Sequence, residues 1–186
     1  MNATTEESVI DDFREAFTRF AATVSVITYY DAEGGPSGMT ATSMCSLSLE
    51  PLSLLVCVNR ENRSHSELIE AGSFGVTMLA AGQQQIADLC SRPGGTKRLP
   101  REWLVGTGTA STPVLRGSVA HIDCTLDQVH DAHSHSIFIG NVSAVLLGEP
   151  REPLLYCNRA YRRFDEDVGD EAMQRVWDRV AFGALS

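Results

Sequence analysis

Apolar positions change period several times along the 186-residue chain, and each change predicts an element. Ile10, Phe13, Phe17 and Phe20 share one helical face, so residues 8–21 read as an amphipathic helix. From Val24 to Tyr29 β-branched residues dominate and predict a strand, ended by the turn-forming run Asp31–Pro36. Residues 38–49, rich in Ser and Thr, read as a further strand broken by Pro51. Leu52–Val58 is nearly all apolar, the pattern of a strand buried on both faces. Residues 64–71 and 82–91 predict short helices around a strand at Phe74–Leu79. Ser64 with Glu67 three residues on has capping-box spacing.

The second half is strand-rich. Residues 92–112 hold Gly, Pro, Ser and Thr and predict a long loop. Over 118–127, Ala120, Ile122, Cys124 and Leu126 alternate with His121, Asp123, Thr125 and Asp127, a strand with one polar face. Ser136–Leu147 and Leu154–Cys157 complete the strands, and Met173–Ala181 reads as a helix. Six or seven strands not regularly interleaved with long helices disfavour a doubly wound parallel sheet. They favour a mainly β fold, a closed or nearly closed antiparallel barrel with a few short peripheral helices. No boundary divides residues 1–164, and 165–186 reads as an acidic, helical C-terminal extension.

Charge narrows the partners. The chain carries 24 acids against 15 bases, net −9, which argues against nucleic acid and against attraction to anionic membrane. The ends hold most of this acidity: residues 1–15 have five acids and one base, and residues 165–186 have six and two, leaving the barrel region near neutral. No apolar run reaches the roughly 20 residues of a spanning helix, and no signal segment is visible. Five cysteines without a CxxC pair read as free thiols of a reducing cytoplasm.

Local motifs alone leave the chemistry open. His130, His133 and His135 offer metal-type ligands but lack a nearby acid to complete a site. Gly106–Ser111 is a broken glycine motif without the strand-before, helix-after context that a dinucleotide fingerprint needs. Gly38–Ser43 is more suggestive, a strand of small residues and hydroxyls that offers backbone and side-chain hydrogen bonds to a flat polar ligand.

Taken in order, Phe17-Thr-Arg-Phe20, Val24-Ser-Val-Ile-Thr28, Gly38-Met-Thr-Ala-Thr-Ser43, Ser48-Leu-Glu-Pro51 and Leu54-Leu-Val-Cys-Val58 resemble the flavin reductase-like family. Gly72–Leu79, Ala87–Ser91, His135–Val142 and Leu154–Phe164 continue the resemblance. It implies an FMN- or FAD-binding split barrel, usually a homodimer, in which NADH or NADPH reduces flavin for a partner monooxygenase. Carried onto this chain, it implies that Met39, Thr40, Ala41, Thr42 and Ser43 line the flavin ring. Cys57, Val58 and Asn59 would extend that wall. Arg63, Ser64 and Lys97 would hold phosphate, a role suited to a guanidinium fork and a helix N-terminus. His135 matches the family histidine beside the nicotinamide, with Tyr161 and Arg162 bordering the pyridine nucleotide. The Gly-Asp pair that precedes this histidine in the family is here His133-Ser134. That departure carries an alternative: a flavin-binding split barrel with weak or lost reductase activity.

Overall fold

The computed structural model describes residues 6–93, 97–106 and 110–164, so the extension predicted at 165–186 lies outside the described residues. Among them the chain forms helices α1 (Glu6–Thr18), α2 (Arg63–Ala71) and α3 (Gln84–Ser91). The strands are β1 (Ala22–Thr23), β2 (Ser25–Tyr30), β3 (Pro36–Ala41), β4 (Cys45–Leu49), β5 (Leu52–Asn59), β6 (Ser73–Met78), β7 (Ala120–Ala132), β8 (His135–Leu147), β9 (Leu155–Cys157) and β10 (Ala160–Arg162).

Seven strands form one antiparallel sheet in the order β3-β2-β6-β7-β8-β5-β4. Its two edge strands are consecutive in the chain, joined only by Thr42, Ser43 and Met44. Four Cα steps reach at most about 15 Å. Seven flat strands would separate the edges by roughly 29 Å. The sheet therefore curls until its edges meet, which makes the predicted barrel. The single strand expected over 38–49 is two strands on opposite edges, because the chain must cross the seam between them. Ser43 continues the β4–β5 pairing past its last ladder residue, donating from Oγ to Cys57 O at 3.0 Å and accepting from Cys57 N at 3.2 Å.

The barrel interior holds Ile27, Tyr29, Met39, Leu54, Val56, Val58, Phe74 and Phe138, with Leu68 of α2 plugging one end. A second apolar cluster lies outside the barrel, where Val24, Val26, Leu79 and Leu154 meet Ile86, Ala87 and Cys90 of α3. Strand β2 is thus buried on both faces. Strand β5 is not, since Leu54, Val56 and Val58 point inward while Leu52 is exposed and Leu55 and Cys57 are half-covered.

Half of the predicted polar face of β7 is also buried: His121 and Asp123 are, whereas Thr125 and Asp127 are exposed. His121 and Asp123 lie beneath residues 111–112 in a hydrogen-bonded chain. Thr77 Oγ1 lies 2.8 Å from His121 Nδ1, and Thr112 Oγ1 lies 3.2 Å from His121 Nε2 while donating to Asp123. Ser111 donates to Asp123 from both N and Oγ at 2.8 Å. These roles make His121 the neutral Nε2–H tautomer. Gly75 is needed here, because a Cβ would sit 2.3 Å from the His121 ring. The hydrophobic-polar alternation holds, but the loop folds over the His121–Asp123 part of the polar side and satisfies it internally.

Burial pushes His121 below the ordinary histidine value, outweighing the attraction of Asp123. Burial alone would raise Asp123, but the bonds from Thr112 and Ser111 hold it below the usual carboxylate range. Both depressed values act in one direction: the unfolded chain takes up protons that the folded chain refuses, so stability falls with pH. Urea midpoints should decline from pH 7 as histidine titrates in the unfolded state, and further below pH 5. Asp123→Asn should lose about 1–3 kcal/mol at pH 7 and flatten the decline below pH 5. An unchanged midpoint at both pH values would contradict this role.

Candidate functional site

The seam, the start of α2 and the end of α3 converge on one groove. The first part, about 410 Å³, is lined by Tyr29, Asp31, Asn59, Asn62, Arg63, Ser64, Glu67 and Lys97, among others. The second, about 320 Å³, adds Thr40, Ala41, Thr42, Cys90, Tyr156 and Tyr161. Asn62, Ser91 and Lys97 line both parts, so they are continuous.

Helix α2 starts one residue before the predicted cap. Asn62, extended at φ −75° and ψ 130°, accepts from Ser64 N, and Gly72 closes the helix in the left-handed region at φ 63°. Ser64 is instead buried in the first turn beside Tyr29. The Tyr29 hydroxyl lies 2.7 Å from Glu67 Oε2 and 2.9 Å from Ser64 Oγ. With one proton it donates to the carboxylate and accepts from the serine. Burial, reinforced by Glu67, pushes the phenol well above its ordinary value, so it stays protonated. Arg63 Nε meets the other carboxylate oxygen, Glu67 Oε1, at 2.6 Å. Arg63 thus enters the groove already paired, with its exposed guanidinium still able to offer a further edge.

Lys97 differs. Its side chain is half-buried, and among the described residues its ammonium has no hydrogen-bonded or ion-paired partner. Burial pulls it below the ordinary lysine value, against the opposing effect of the Cys90 and Glu67 sites. An uncompensated cation lining both parts of a groove at a helix N-terminus fits the phosphate of a flavin. Opposite it, burial would raise Asp31, but Gly35 N, Arg98 and Glu33 N hold that carboxyl below the usual range.

The seam strand supplies the other wall. Thr40 Oγ1 donates to Ala87 O at 2.7 Å, tying β3 to α3 while leaving its lone pairs available. Ser43 is spent on the Cys57 backbone, and Met39 and Val58 are core residues, so these three support the wall from behind. Cys57 is half-covered at the seam. Tyr161 donates to Asp88 Oδ1 at 2.8 Å and meets Tyr156 edge-on at 5.7 Å. Arg162 is exposed and lines neither part of the groove.

His135 also lies off the groove lining, exposed at the start of β8, but it pairs in register with Asn59, which does line it. Its Nδ1 lies 2.9 Å from Ser134 Oγ. The neighbouring Ser136 donates to Asp131 Oδ1 and lies 2.8 Å from His65 Nε2, which fastens this strand end to α2. The three histidines do not converge. His133 occupies the hairpin turn at φ 56°, and His130 bonds Gln128. Among the described residues no three His, Cys, Asp or Glu meet at a point that could hold an ion.

Sequence reasoning missed Tyr29, Asp31 and Glu67. Tyr29 reads as a core strand residue, which it is, and only its hydroxyl reaches the groove. A larger cavity of about 570 Å³, on the far side of β2, holds one cation, Arg101, and none of the predicted residues.

A family model described as flavin reductase like domain matches residues 17–165. An NADH-dependent FAD reductase of Streptomyces globisporus is 33% identical over 161 residues, covering 84% of this chain and 87% of that protein. HsaB, the reductase subunit of a flavin-dependent monooxygenase of Rhodococcus jostii, is 35% identical over 158 residues, covering 83% and 78%. BorF, the flavin reductase component of a bacterial two-component tryptophan halogenase, superposes with a TM-score of 0.74 at 34% identity, covering 85% of this chain and 99% of that one. The Streptomyces globisporus NADH:FAD oxidoreductase SgcE6, in complex with NAD and FAD fragments, gives 0.78 at 28% identity, covering 91% and 100%. With the barrel, the groove and these matches in agreement over most of its length, this chain belongs to the flavin reductase-like family.

Proposed function

We propose that this protein is an NADH-dependent flavin reductase that delivers reduced FAD or FMN to a partner monooxygenase, working as a cytoplasmic homodimer. The unpaired Lys97, facing a groove between the barrel seam and the N-terminus of α2, carries the reading. The relatives named above are reductases, which favours an active enzyme over a flavin binder that has lost turnover. Apolar Leu47, Leu49, Leu52, Val145 and Leu147, exposed on β4, β5 and β8, suit a second copy.

When both are bound, the nicotinamide supplies a hydride and the flavin accepts it, so the chemistry belongs to the ligands. The chain's own task is placement. Lys97 holds the phosphate together with the free guanidinium edge of Arg63 at the start of α2, while Ser64, bonded to Tyr29 and Asn62, fixes that turn. The backbone of Thr40–Thr42 faces the polar edge of the ring, on a strand held straight by Met39 and Val58 behind it and by Ser43 on Cys57. Asn59 links this wall to His135, which orients the nicotinamide, and Tyr161 and Arg162 close that side.

Purified protein should oxidise NADH only when FAD or FMN is added; flavin binding without turnover would overturn the assignment. Lys97→Met should raise the flavin KM about tenfold, the cost of one charge-assisted bond, with kcat at saturating flavin nearly kept. An unchanged flavin KM would remove Lys97 from the phosphate site. His135→Ala should raise the NADH KM and leave flavin affinity, read by fluorescence quenching, unaltered. Selective loss of flavin affinity would instead place His135 on the flavin.

A further inference from the structure

Three acids, Asp31, Glu61 and Glu67, line the part of the groove that takes the phosphate in the reading above. Lys97 lines the same part, yet among the described residues it meets none of them in a hydrogen bond or ion pair. The reason is what already holds the two less exposed acids. Glu67 is taken by Arg63 and by the Tyr29 hydroxyl. Asp31 is saturated. Its Oδ1 accepts from Gly35 N at 2.7 Å and Glu33 N at 3.0 Å, and its Oδ2 accepts from Arg98 Nε at 3.1 Å and Ser37 Oγ at 3.3 Å. Of these four donors only Arg98 carries a charge.

The backbone delivers Arg98 to this position. Residues 97–99 run antiparallel to β3: Gly38 N donates to Lys97 O at 3.2 Å, Leu99 N donates to Pro36 O at 2.8 Å, and Arg98 pairs with Ser37. Leu99 anchors the segment in the outer apolar cluster. The other arm of the guanidinium, Nη2, donates to Glu33. Gly35 keeps the space open, because a Cβ there would sit 2.7 Å from Arg98 Nε and 2.9 Å from Asp31 Oδ2. Arg98 itself lines neither part of the groove, whereas Asp31 does, with a side chain only 5% exposed. A carboxylate so buried, if it lost its only cation, would put an uncompensated negative charge into the groove. That charge would repel a phosphate and attract the ammonium of Lys97.

We propose that Arg98 is a positioning residue for the flavin: by engaging Asp31 it keeps the ammonium of Lys97 free for the ligand's phosphate. The inference rests on the phosphate reading of the groove. Arg98 acts through Asp31 and touches no ligand. Its effect is one of charge, since the backbone bonds to β3 and the burial of Leu99 hold the segment without it.

Arg98→Gln should raise the flavin KM about fivefold and keep kcat at saturating flavin, the effect of one uncompensated charge at a partly solvated site. Arg98→Gln/Asp31→Asn should return the KM to near its starting value, because an amide at position 31 still accepts from Gly35 N and Glu33 N but carries no charge. A mere tether predicts the reverse, a double variant at least as impaired as the single one. That outcome would overturn the proposal, as would an unchanged KM in Arg98→Gln beside a raised one in Lys97→Met. An unchanged KM in Lys97→Met would instead remove the phosphate reading, and this inference with it. Lys97 is the only lysine in the chain, so an amine-reactive ester reports on it directly in the ligand-free protein. Its acylation at pH 8, read by mass spectrometry of the peptide that contains it, should slow about threefold in Arg98→Gln, as a nearby negative charge favours the protonated amine. The rate should recover in the double variant. Unchanged or faster acylation in Arg98→Gln would also overturn the proposal.

Discussion

Three residues between the two edges of one sheet dictate the rest of this molecule. Thr42, Ser43 and Met44 are too few to span a flat seven-stranded sheet, so closure is a matter of chain length. The right-handed twist of the strands makes such curling accessible, and the apolar interior fills the space it encloses. Phe74 and Phe138 belong to the core that fills this interior. The serine in the link anchors it to β5 by bonding both polar groups of the Cys57 backbone.

The same seam creates the groove. A barrel closed by a short link has a notch where regular pairing stops, and α2 and α3 pack on either side of it. Helix α2 plugs the barrel with Leu68 and so turns its N-terminus toward the notch, while α3 is fixed to β3 through Thr40. Lys97 then enters a half-buried position facing both parts of the groove without a counter-charge. Partial burial without a bonded carboxylate disfavours the charged form of Lys97, and an anion in the groove would offset that cost.

Polar burial elsewhere follows the opposite rule. The Thr77–His121–Thr112–Asp123–Ser111 chain is saturated and serves to clamp a loop onto the barrel wall. Its histidine and carboxylate have shifted titration, yet they are already bonded inside the protein, and this distinguishes the cluster from the groove. Among the described residues, the buried side-chain hydroxyls without partners are those of Ser25 and Thr28, both on β2.

Local pattern in the chain was enough for α1, α2 and α3, for most strands and for the class of fold, because periodicity and turn residues report local burial. Of the residues nominated by the ordered motifs, Thr40 to Thr42, Asn59, Arg63, Ser64, Lys97 and Tyr161 line the groove, whereas Met39, Ser43, Cys57, Val58, His135 and Arg162 do not. Three things could not be read there. Residues 38–49 carry no breaker, so nothing local signals that the chain leaves one edge and joins the other; the crossing is imposed by barrel closure. Ser64 looks like a cap by spacing, but Asn62 wins that role because Tyr29, 35 residues away in sequence, takes the serine hydroxyl into the core. The alternation in β7 showed which side chains share a face, and it could not show whether that face meets water or a folded-over loop. Periodicity records orientation about a strand's own axis, whereas what stands opposite depends on contacts between residues far apart in the chain, and those exist only once the barrel has closed.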